Sequence, residues 1–232
     1  MKYHYDLHVH SVLSPCADVL MTPNNILNMA SLKGLDILAV TDHNSLKQQS
    51  VIAEIARSFS FLLVFGVEIH VWEGYHVLVY LKTLADALRL DQELETRLDQ
   101  TAVPTPYEGT ARLTDLEDFV IGELPYPTSR PLSMSLLDLV RVLESYDHIR
   151  FFAHVDRPIP LGRIPVGAVP MNGIELSSAA PDGFLIRNGW EAFPVLRNSD
   201  AHQLLDINER RADNSLELDH LSVESLFGVF RP

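Results

Sequence analysis

The sequence predicts an α/β fold built on a mainly parallel sheet that is either open or closed into a barrel. Short runs of apolar and β-branched residues alternate along the chain with segments that have the apolar spacing of amphipathic helices. Most of these runs are continuously apolar rather than alternating, which is typical of strands buried on both faces. The 232 residues suffice for one large domain of this class, and no internal repeat of solenoid length is present.

Seven strands and five helices are expected. The strands are short apolar runs, and they cover residues 5–10, 36–41, 61–67, 76–81, 150–154, 173–176 and 194–197. The first helix begins at Thr22-Pro23 and ends before Gly34, and Ser45 caps a second helix that runs to about residue 58. Two further helices cover about 84–98 and 135–146, and a short one follows Ser222.

Two proline-rich stretches interrupt the alternation of strands and helices. Residues 104–131 hold five of the 14 prolines and predict an insertion with a small hairpin. Residues 157–170 hold four more prolines and predict a loop after a strand. Because the alternation resumes after each stretch, neither is a domain linker, and we expect a single domain over residues 1–232.

Composition restricts the classes of function. The chain has 31 acidic and 18 basic residues and a formal charge of −13, which argues against binding long nucleic acids through their phosphates. No apolar run is long enough to span a bilayer, and the first residues lack the apolar stretch of a secretory signal. Cys16 is the only cysteine, which excludes an intrachain disulfide. These features predict a cytoplasmic protein with a small substrate and no long nucleic-acid or membrane partner, and they leave the oligomeric state open.

Residue types that bind metal ions stand at the carboxyl ends of five predicted strands. They are His8 and His10, then His43, Glu68 and His154, and finally Asp200 and His202. In parallel α/β folds these ends form one face, where functional sites are built. Residues i and i+2 of a strand point to the same side, so His8 and His10 can bind one ion together. His76 opens the next strand and reaches the same edge if that strand runs in the opposite direction.

This set predicts a polynuclear metal centre rather than a group of ordinary polar edge residues. Burying so many imidazoles and carboxylates without a cation is costly. Imidazole and carboxylate donors without a thiolate cluster suit Zn²⁺, Mn²⁺ or Fe²⁺. The candidate ligands outnumber what one tetrahedral ion can use, so we expect two or three divalent ions and at least one bridging carboxylate.

Five motifs resemble, in the same order along the chain, those of the PHP (polymerase and histidinol phosphatase) family of metal-dependent phosphoesterases. They are DLHVHS, LAVTDHNS, VEIHVWEGYHV, FFAHVDRP and RNSDAH, which span residues 6–202. The segment SPCADVLMTPNNI is similar to one bacterial branch of small stand-alone PHP proteins. The resemblance implies a distorted (β/α)₇ barrel and a trinuclear metal site.

When the motifs of the family are matched to this sequence, the resemblance implies three sets of metal ligands. The first is His8, His10, Glu68 and Asp200, and the second shares Glu68 as a bridge with His76 and His154. The third consists of His43 and His202 with Asp18 as the carboxylate. The family commonly has Ser-Asp-Gly near this position, whereas this chain has Ser14-Pro15-Cys16-Ala17-Asp18, so that Cys16 is an alternative to Asp18 if it is not simply a small apolar residue.

The expected chemistry is attack of a metal-activated hydroxide on phosphorus, with Glu68, Asp200 and His202 as the catalytic group. His202 and a metal-bound water are the two candidates for the acid that protonates the leaving group. Arg157 is the candidate phosphate clamp, although it can instead pair with an acidic neighbour. His70 is in phase with Glu68 on its strand and is a second candidate for substrate binding. Asp42 is expected to orient a ligand imidazole, with capping of the following helix as its alternative role.

The sequence therefore predicts a metal-dependent phosphoesterase that hydrolyses a small phosphomonoester, such as a nucleotide or a nucleoside bisphosphate. An exonuclease acting on short oligonucleotides and a histidinol-phosphatase-like enzyme are close alternatives. A non-catalytic metal-binding partner domain is a different class, which the intact ligand set disfavours. Hydrolysis of a C–N bond is a further alternative, but no strand-end motif offers a lysine for a carbamylated bridge.

Overall fold

A curled sheet of eight strands forms the centre of the protein. The structure is a computed structural model that describes residues 1–105, 107–158, 164–177 and 179–231. Its ten strands, in chain order, are β1 (Lys2–Val9), β2 (Ile37–Val40), β3 (Leu62–His70), β4 (His76–Leu81), β5 (Arg112–Thr114), β6 (Val120–Glu123), β7 (His148–Phe152), β8 (Gly173–Glu175), β9 (Val195–Leu196) and β10 (Ser215–Glu217). The large sheet has the order β10-β1-β2-β3-β4-β7-β8-β9, and β5 pairs with β6 separately.

The sheet is mixed rather than mainly parallel, which corrects the expectation from the sequence. Strands β1, β2 and β3 are parallel, as are β7, β8 and β9, but β4 is antiparallel to both of its neighbours. The tight turn that reverses β4 contains Gly74 at φ 84°, a conformation that favours glycine. The reversal pairs His70 with His76, so His76 lies at the edge of the sheet where β3 ends.

The chain that follows β9 returns to β1, the second strand from the opposite end of the sheet. Ala201 forms a parallel bridge with Val9, and its carbonyl accepts a hydrogen bond from the His10 amide at 2.9 Å. Inside the curl, the Tyr80 hydroxyl of β4 donates to the Leu7 carbonyl of β1 at 2.8 Å. The sheet is thus a curled half-barrel. Strict (β/α)₇ alternation is not found, because a turn without a helix joins β3 to β4.

Among the described residues, six α-helices flank the sheet, namely α1 (Pro23–Leu32), α2 (Gln49–Ala56), α3 (Leu84–Glu95), α4 (Leu136–Leu143), α5 (Phe184–Asn188) and α6 (Val223–Phe230). Capping explains several of their boundaries: Ser135 forms a capping box with Asp138, and Ser222 accepts a hydrogen bond from the Ser225 amide. Helix α2 begins later than predicted because the Ser45 hydroxyl donates to Asp91, 3.0 Å away, and caps no helix.

The predicted insertion contains the antiparallel hairpin of β5 and β6. It covers a small apolar cluster that includes Leu13, Leu124 and Tyr126. Its last residues return to the rim of the sheet, where the carbonyls of Thr128 and Arg130 accept hydrogen bonds from the Asn44 side chain. Position 106 of this stretch, and residues 159–163 of the predicted proline-rich loop, lie outside the described residues.

Among the described residues, no helix combines the length and the apolar character needed to cross a lipid bilayer.

Candidate metal centre

Eight of the nine predicted metal ligands lie together at one edge of the curled sheet, and Glu68 is at the centre of the group. This glutamate is close to the end of β3, and its side chain is 1% exposed. Its Oε1 lies 2.8 Å from Nδ1 of His76 and 3.0 Å from Nε2 of His154. Its Oε2 lies 2.9 Å from Nδ1 of His43. The two carboxylate oxygens therefore face different histidines, as a bridging carboxylate must.

One set of four donors has the spacing of a tetrahedral metal site. Nε2 of His8 lies 3.1 Å from Nε2 of His10, 3.2 Å from Oδ1 of Asp200 and 3.5 Å from Oε2 of Glu68. Nε2 of His10 lies 3.1 Å from the same Asp200 oxygen and 3.4 Å from the same Glu68 oxygen. Donors about 2.0–2.1 Å from a tetrahedral ion are roughly 3.3 Å apart. This spacing fits the first ligand set that the resemblance implies.

Hydrogen bonds behind the two histidines of β1 direct their Nε2 atoms into the centre. Nδ1 of His8 lies 3.0 Å from both oxygens of the buried Glu175, which fixes the proton on that nitrogen. Nδ1 of His10 lies 2.9 Å from the Ser14 hydroxyl, which itself donates to Asp42 at 2.6 Å and is therefore free to accept from the imidazole. In the neutral rings the lone pair of each imidazole is on Nε2. Both lone pairs therefore point to the place that the oxygens of Glu68 and Asp200 also face.

Two buried atoms at this point are unsatisfied, which supports the same interpretation. Nδ1 of His43 and Oε2 of Glu68 are buried and lack a hydrogen bond of proper geometry, although they are 2.9 Å apart. An unsatisfied buried polar group is costly unless a cation or other partner compensates it. The donor set of imidazoles and carboxylates fits divalent cations, so the residues present agree with the predicted metal centre.

The third predicted set is only partly brought together. Donor atoms of His10, His43 and His202 lie within 4.8 Å of one another. Asp18 does not join them, because it is exposed and its carboxylate accepts a hydrogen bond from the Leu20 amide at 2.8 Å within its own turn. The Cys16 thiol is there instead, with its Sγ 3.1 Å from Nε2 of His202.

Charges in the centre are strongly coupled. Burial alone would raise the pKa of Glu68, but the facing imidazoles, with His76 the strongest, outweigh it and hold that pKa well below its usual range. Burial opposes the charged form of His43, yet the Glu68 carboxylate raises its pKa to about 10. Burial also opposes the charged form of His8, but the carboxylates of Glu175, Asp200 and Glu68 outweigh it and raise its pKa. The pKa of His10, in contrast, is lowered to about 3 by burial and by His43. The carboxylates therefore favour positive charge at His8 and His43 but not at every imidazole of the centre.

Two of the predicted ligands have strained backbones. His154 has φ 29° and Asp200 has φ 53°, both in the left-handed region that non-glycine residues rarely adopt. The strain is held by buried carboxylates: Glu175 accepts from the His154 amide at 2.9 Å, and Asp6 accepts from the amide of Ser199, beside Asp200, at 3.0 Å. Such strain of about 1–3 kcal/mol per residue tends to be found at functional sites.

The two candidate substrate-binding residues lie at the rim. Nη1 of Arg157 donates to Oδ2 of Asp200, and the arginine is exposed. Arg157 therefore pairs with an acidic neighbour and also lies beside the centre. The pairing does not exclude its expected role as a phosphate clamp. Nδ1 of His70 lies 2.9 Å from the Ser129 carbonyl of the insertion, and its ring centroid is 4.3 Å from that of His76.

Asp42 acts on a ligand through an intermediary. It accepts hydrogen bonds from the Ser11 amide at 2.7 Å, the Ser11 hydroxyl at 2.6 Å and the Ser14 hydroxyl at 2.6 Å. Ser14 lies between Asp42 and His10 and contacts both. Asp42 therefore orients the His10 imidazole through Ser14 and not by the direct contact that the sequence predicts. It caps no helix, since α2 begins seven residues later.

Sequence reasoning missed Glu175, Ser14 and Asp6, all of which are fully or almost fully buried. Glu175 had a signal, since it is a charged residue inside the apolar strand run Gly173-Ile174-Glu175-Leu176. Asp6 had the same signal in the first strand. Charged residues are almost never fully buried without partners, so each one indicated an unseen contact.

Comparisons with known proteins agree with this architecture. No protein-family model matches the chain. A 5'-3' exoribonuclease from Haemophilus influenzae is 29% identical over 133 residues, which are 50% of this chain and 47% of the exoribonuclease. Endonuclease Q, solved with a 27-mer duplex substrate, has a TM-score of 0.72 at 17% identity over 99% of this chain and 56% of its own. A candidate metal-dependent phosphoesterase from Bifidobacterium adolescentis has a TM-score of 0.62 at 16% identity over 97% of this chain and 94% of its own.

The fold is therefore one that metal-dependent hydrolases use. The chain spans only about half the length of the exoribonuclease and of Endonuclease Q. The expectation that this type of protein has no long nucleic-acid partner is wrong, because Endonuclease Q has the same fold and holds a 27-mer duplex. Net charge failed as an argument because it averages over the whole surface, whereas the local field at the site acts on the substrate.

Proposed function

We propose that the chain is a metal-dependent phosphoesterase of the PHP type, with two or three divalent ions held at the ends of the strands. The observation that carries this proposal is the bridging geometry of Glu68, whose two oxygens face separate sets of histidines within 3.0 Å. When bound, Zn²⁺, Mn²⁺ or Fe²⁺ ions supply Lewis-acid activation of water and neutralise charge on the phosphoryl oxygens.

The protein side chains then bind and orient the substrate. His8, His10, Glu68 and Asp200 would hold one ion, and Glu68 with His76 and His154 would hold a second. The planar guanidinium of Arg157 is placed beside Asp200 to bind non-bridging phosphate oxygens with its free N–H groups. Nδ1 of His202 contacts the Asp200 carbonyl at 2.9 Å, so its Nε2, 3.1 Å from the Cys16 thiol, is the nitrogen that would bind a cation or, in the protonated ring, donate to a leaving group.

A substrate panel tests the proposal. Protein loaded separately with Zn²⁺, Mn²⁺ and Fe²⁺ is offered phosphomonoesters, including nucleoside monophosphates and 3',5'-bisphosphates, and release of inorganic phosphate is measured. We expect release in at least one metal form and loss of release in Glu68→Gln. Glu144→Gln is the matched control, because Glu144 is exposed at the end of α4. Equal rates in the wild type and Glu68→Gln would contradict the proposal.

A nuclease is the second candidate, and it is favoured by the stretch shared with the exoribonuclease and by a groove near the site. The groove has a volume of about 430 Å³ and is lined in part by Trp72, Arg97 and Arg130. Trp72 is 67% exposed and lies two residues after His70. An exposed indole next to guanidinium groups suits stacking of nucleobases.

Trp72→Ala separates the two candidates. For a nuclease, loss of one stacked base costs about 1–3 kcal/mol of oligonucleotide affinity, so KM for a short labelled oligonucleotide rises while hydrolysis of a small phosphomonoester is unchanged. Phe119→Ala is the control, because Phe119 is an equally exposed aromatic residue after β5, at 70% exposure. If both variants behave like the wild type on oligonucleotides, the groove does not bind bases.

A further inference from the structure

Asn44 connects the edge of the sheet that carries the predicted ligands to the last residues of the insertion. The residue is buried, and its backbone amide donates to the Glu68 carbonyl at 2.9 Å. Its side-chain nitrogen donates to the carbonyls of Thr128 and Arg130, at 2.7 and 2.9 Å. Its side-chain oxygen accepts from the His70 amide at 2.8 Å. The side chain thus uses both of its donor hydrogens and its acceptor to hold the insertion beside β3.

The backbone of Asn44 restricts which residue types can make these contacts. Its φ is 52°, in the left-handed region that glycine, asparagine and aspartate adopt more readily than most residues. Glycine has no side chain to reach the insertion, and an ionised aspartate only accepts hydrogen bonds, so it would face two carbonyl oxygens. Asparagine supplies the backbone conformation together with both kinds of hydrogen bond.

Residues 128–132, which we call the wall, lie beside the predicted ligands. The Ser129 carbonyl of the wall is 2.9 Å from Nδ1 of His70. The ring centroid of that imidazole is 4.3 Å from the ring centroid of His76, a predicted ligand. Arg130 of the wall also lines the groove of about 430 Å³ described above. The wall therefore connects the edge of the metal centre to the groove.

We propose that the wall binds the organic group of the phosphomonoester, and that Asn44 is the positioning residue that keeps the wall in place. The inference rests on the proposed function and names a subsite for the part of the substrate beyond the phosphate. Arg157, the proposed phosphate clamp, pairs with Asp200 in the other set of predicted ligands. The arrangement favours phosphomonoesters whose organic group is large enough to reach the wall, because contact with the wall removes apolar surface from water.

Anion binding tests the inference without turnover. Metal-loaded protein is titrated calorimetrically with inorganic phosphate, and separately with phenylphosphonate, a non-hydrolysable analogue of a phosphomonoester that carries one organic group. We expect the wild type to bind phenylphosphonate more tightly than phosphate. Asn44→Gly keeps the left-handed backbone but removes the three side-chain hydrogen bonds. Its affinity for phenylphosphonate is expected to fall about tenfold, while its phosphate affinity and its count of bound ions stay at wild-type values.

Asp118→Gly is the matched control, because it too replaces a residue with a left-handed backbone, at φ 66°, and loosens the same insertion. Among the described residues, the Asp118 side chain hydrogen-bonds only with Thr22 and Asn24, at the start of α1. It does not contact the wall. We expect Asp118→Gly to bind both anions like the wild type, even if it lowers the stability of the fold.

Asn44→Asp is the second variant, since it keeps an acceptor for the His70 amide but cannot donate to the wall when ionised. We expect it to lose phenylphosphonate affinity as Asn44→Gly does. Equal wild-type affinities for the two anions, or wild-type phenylphosphonate affinity in both Asn44 variants, would overturn the inference. Loss of both anions together with the bound ions would also overturn it, because Asn44 would then act on the neighbouring His43 instead. The wild-type comparison stands whether or not a variant folds.

Failure of the proposed function gives a different result. Wild-type protein that retains no ions, or that binds neither anion when ions are present, would contradict the phosphoesterase proposal and the inference with it. Wild-type protein that binds its ions and phosphate but gains nothing from the phenyl group would contradict the wall alone.

Discussion

Single side chains behind the predicted ligands hold them in place. Glu175 accepts hydrogen bonds from Nδ1 of His8, from the His154 amide and from the Asn198 side chain, the last at 2.7 Å. Glu175 thus keeps the proton of His8 on Nδ1 and holds the backbone of His154 in place. Ser14 and Asp42 form a similar chain behind His10. Such outer contacts hold ligand rings in place and raise their basicity.

Glu175→Gln is expected to weaken metal binding about 10–100-fold, because the amide is neutral and offers one acceptor oxygen in place of two. A competition titration against a chromophoric chelator measures the change. Glu144→Gln, on the exposed end of α4, serves as the control and should bind metal like the wild type. Identical affinities in Glu175→Gln and the wild type would show that this carboxylate does not orient His8.

Arg157→Ala is expected to raise KM for a phosphomonoester about tenfold, a cost of roughly 1.4 kcal/mol, with bound metal unchanged. In the proposed mechanism the guanidinium binds phosphate with its remaining N–H groups while one N–H stays on Asp200. Arg57→Ala is the control, since Arg57 is an exposed arginine that pairs with Glu54 on the surface. If KM and kcat both stay at wild-type values, Arg157 does not clamp the phosphate.

At the scale of elements, close backbone approaches position the strand ends that hold the ligands. Gly173 opens β8, and a side chain there would have its Cβ 2.4 Å from the Pro194 carbonyl oxygen and 2.7 Å from the Phe151 ring. The carbonyl cannot move freely because the Ile174 amide donates to it at 2.9 Å, and the Phe151 ring is fully buried in the core. Glycine is therefore required for β8 to lie between β7 and β9.

Gly173→Ala is expected to destabilise the fold by about 1–3 kcal/mol through this overlap. Gly228→Ala is the matched control, because nothing lies within 4 Å of its Cβ position in α6. Alanine there is expected to stabilise the helix by about 0.5–1 kcal/mol. Urea unfolding of metal-free protein measures both. A Gly173→Ala variant as stable as the wild type would mean that β8 can shift without cost.

Each predicted strand overlaps an observed one, because apolar runs identify buried strands reliably. The direction of β4 could not be settled from the sequence, since it depends on a turn at Gly74 rather than on a pattern within the strand. Glu175 was missed because its partner His8 is 167 positions away. Asp18 was assigned by motif spacing, but local bonding to Leu20 holds it elsewhere. Residue types and strand ends were predictable; pairings across the chain were not.

At the scale of the whole molecule, the sheet brings together residues that are up to 194 positions apart in the sequence. Curling of the sheet is what makes this possible, since it carries Asp200 and His202 from the end of β9 back to the start of the chain. The formal charge of −13 does not describe this centre. In the proposed centre, two or three divalent cations would outweigh the charges of Glu68 and Asp200 locally, which would give a site able to attract phosphate.

The count of ions bound per chain tests this account most directly. Protein supplemented with Zn²⁺ or Mn²⁺ and then freed of loosely bound metal is analysed by inductively coupled plasma mass spectrometry, in parallel with Glu68→Gln. We expect at least two ions per wild-type chain and a loss of more than one ion in the variant, because Glu68 faces two sets of histidines. A wild-type chain that holds less than one ion, or a variant with the same count, would contradict the polynuclear centre.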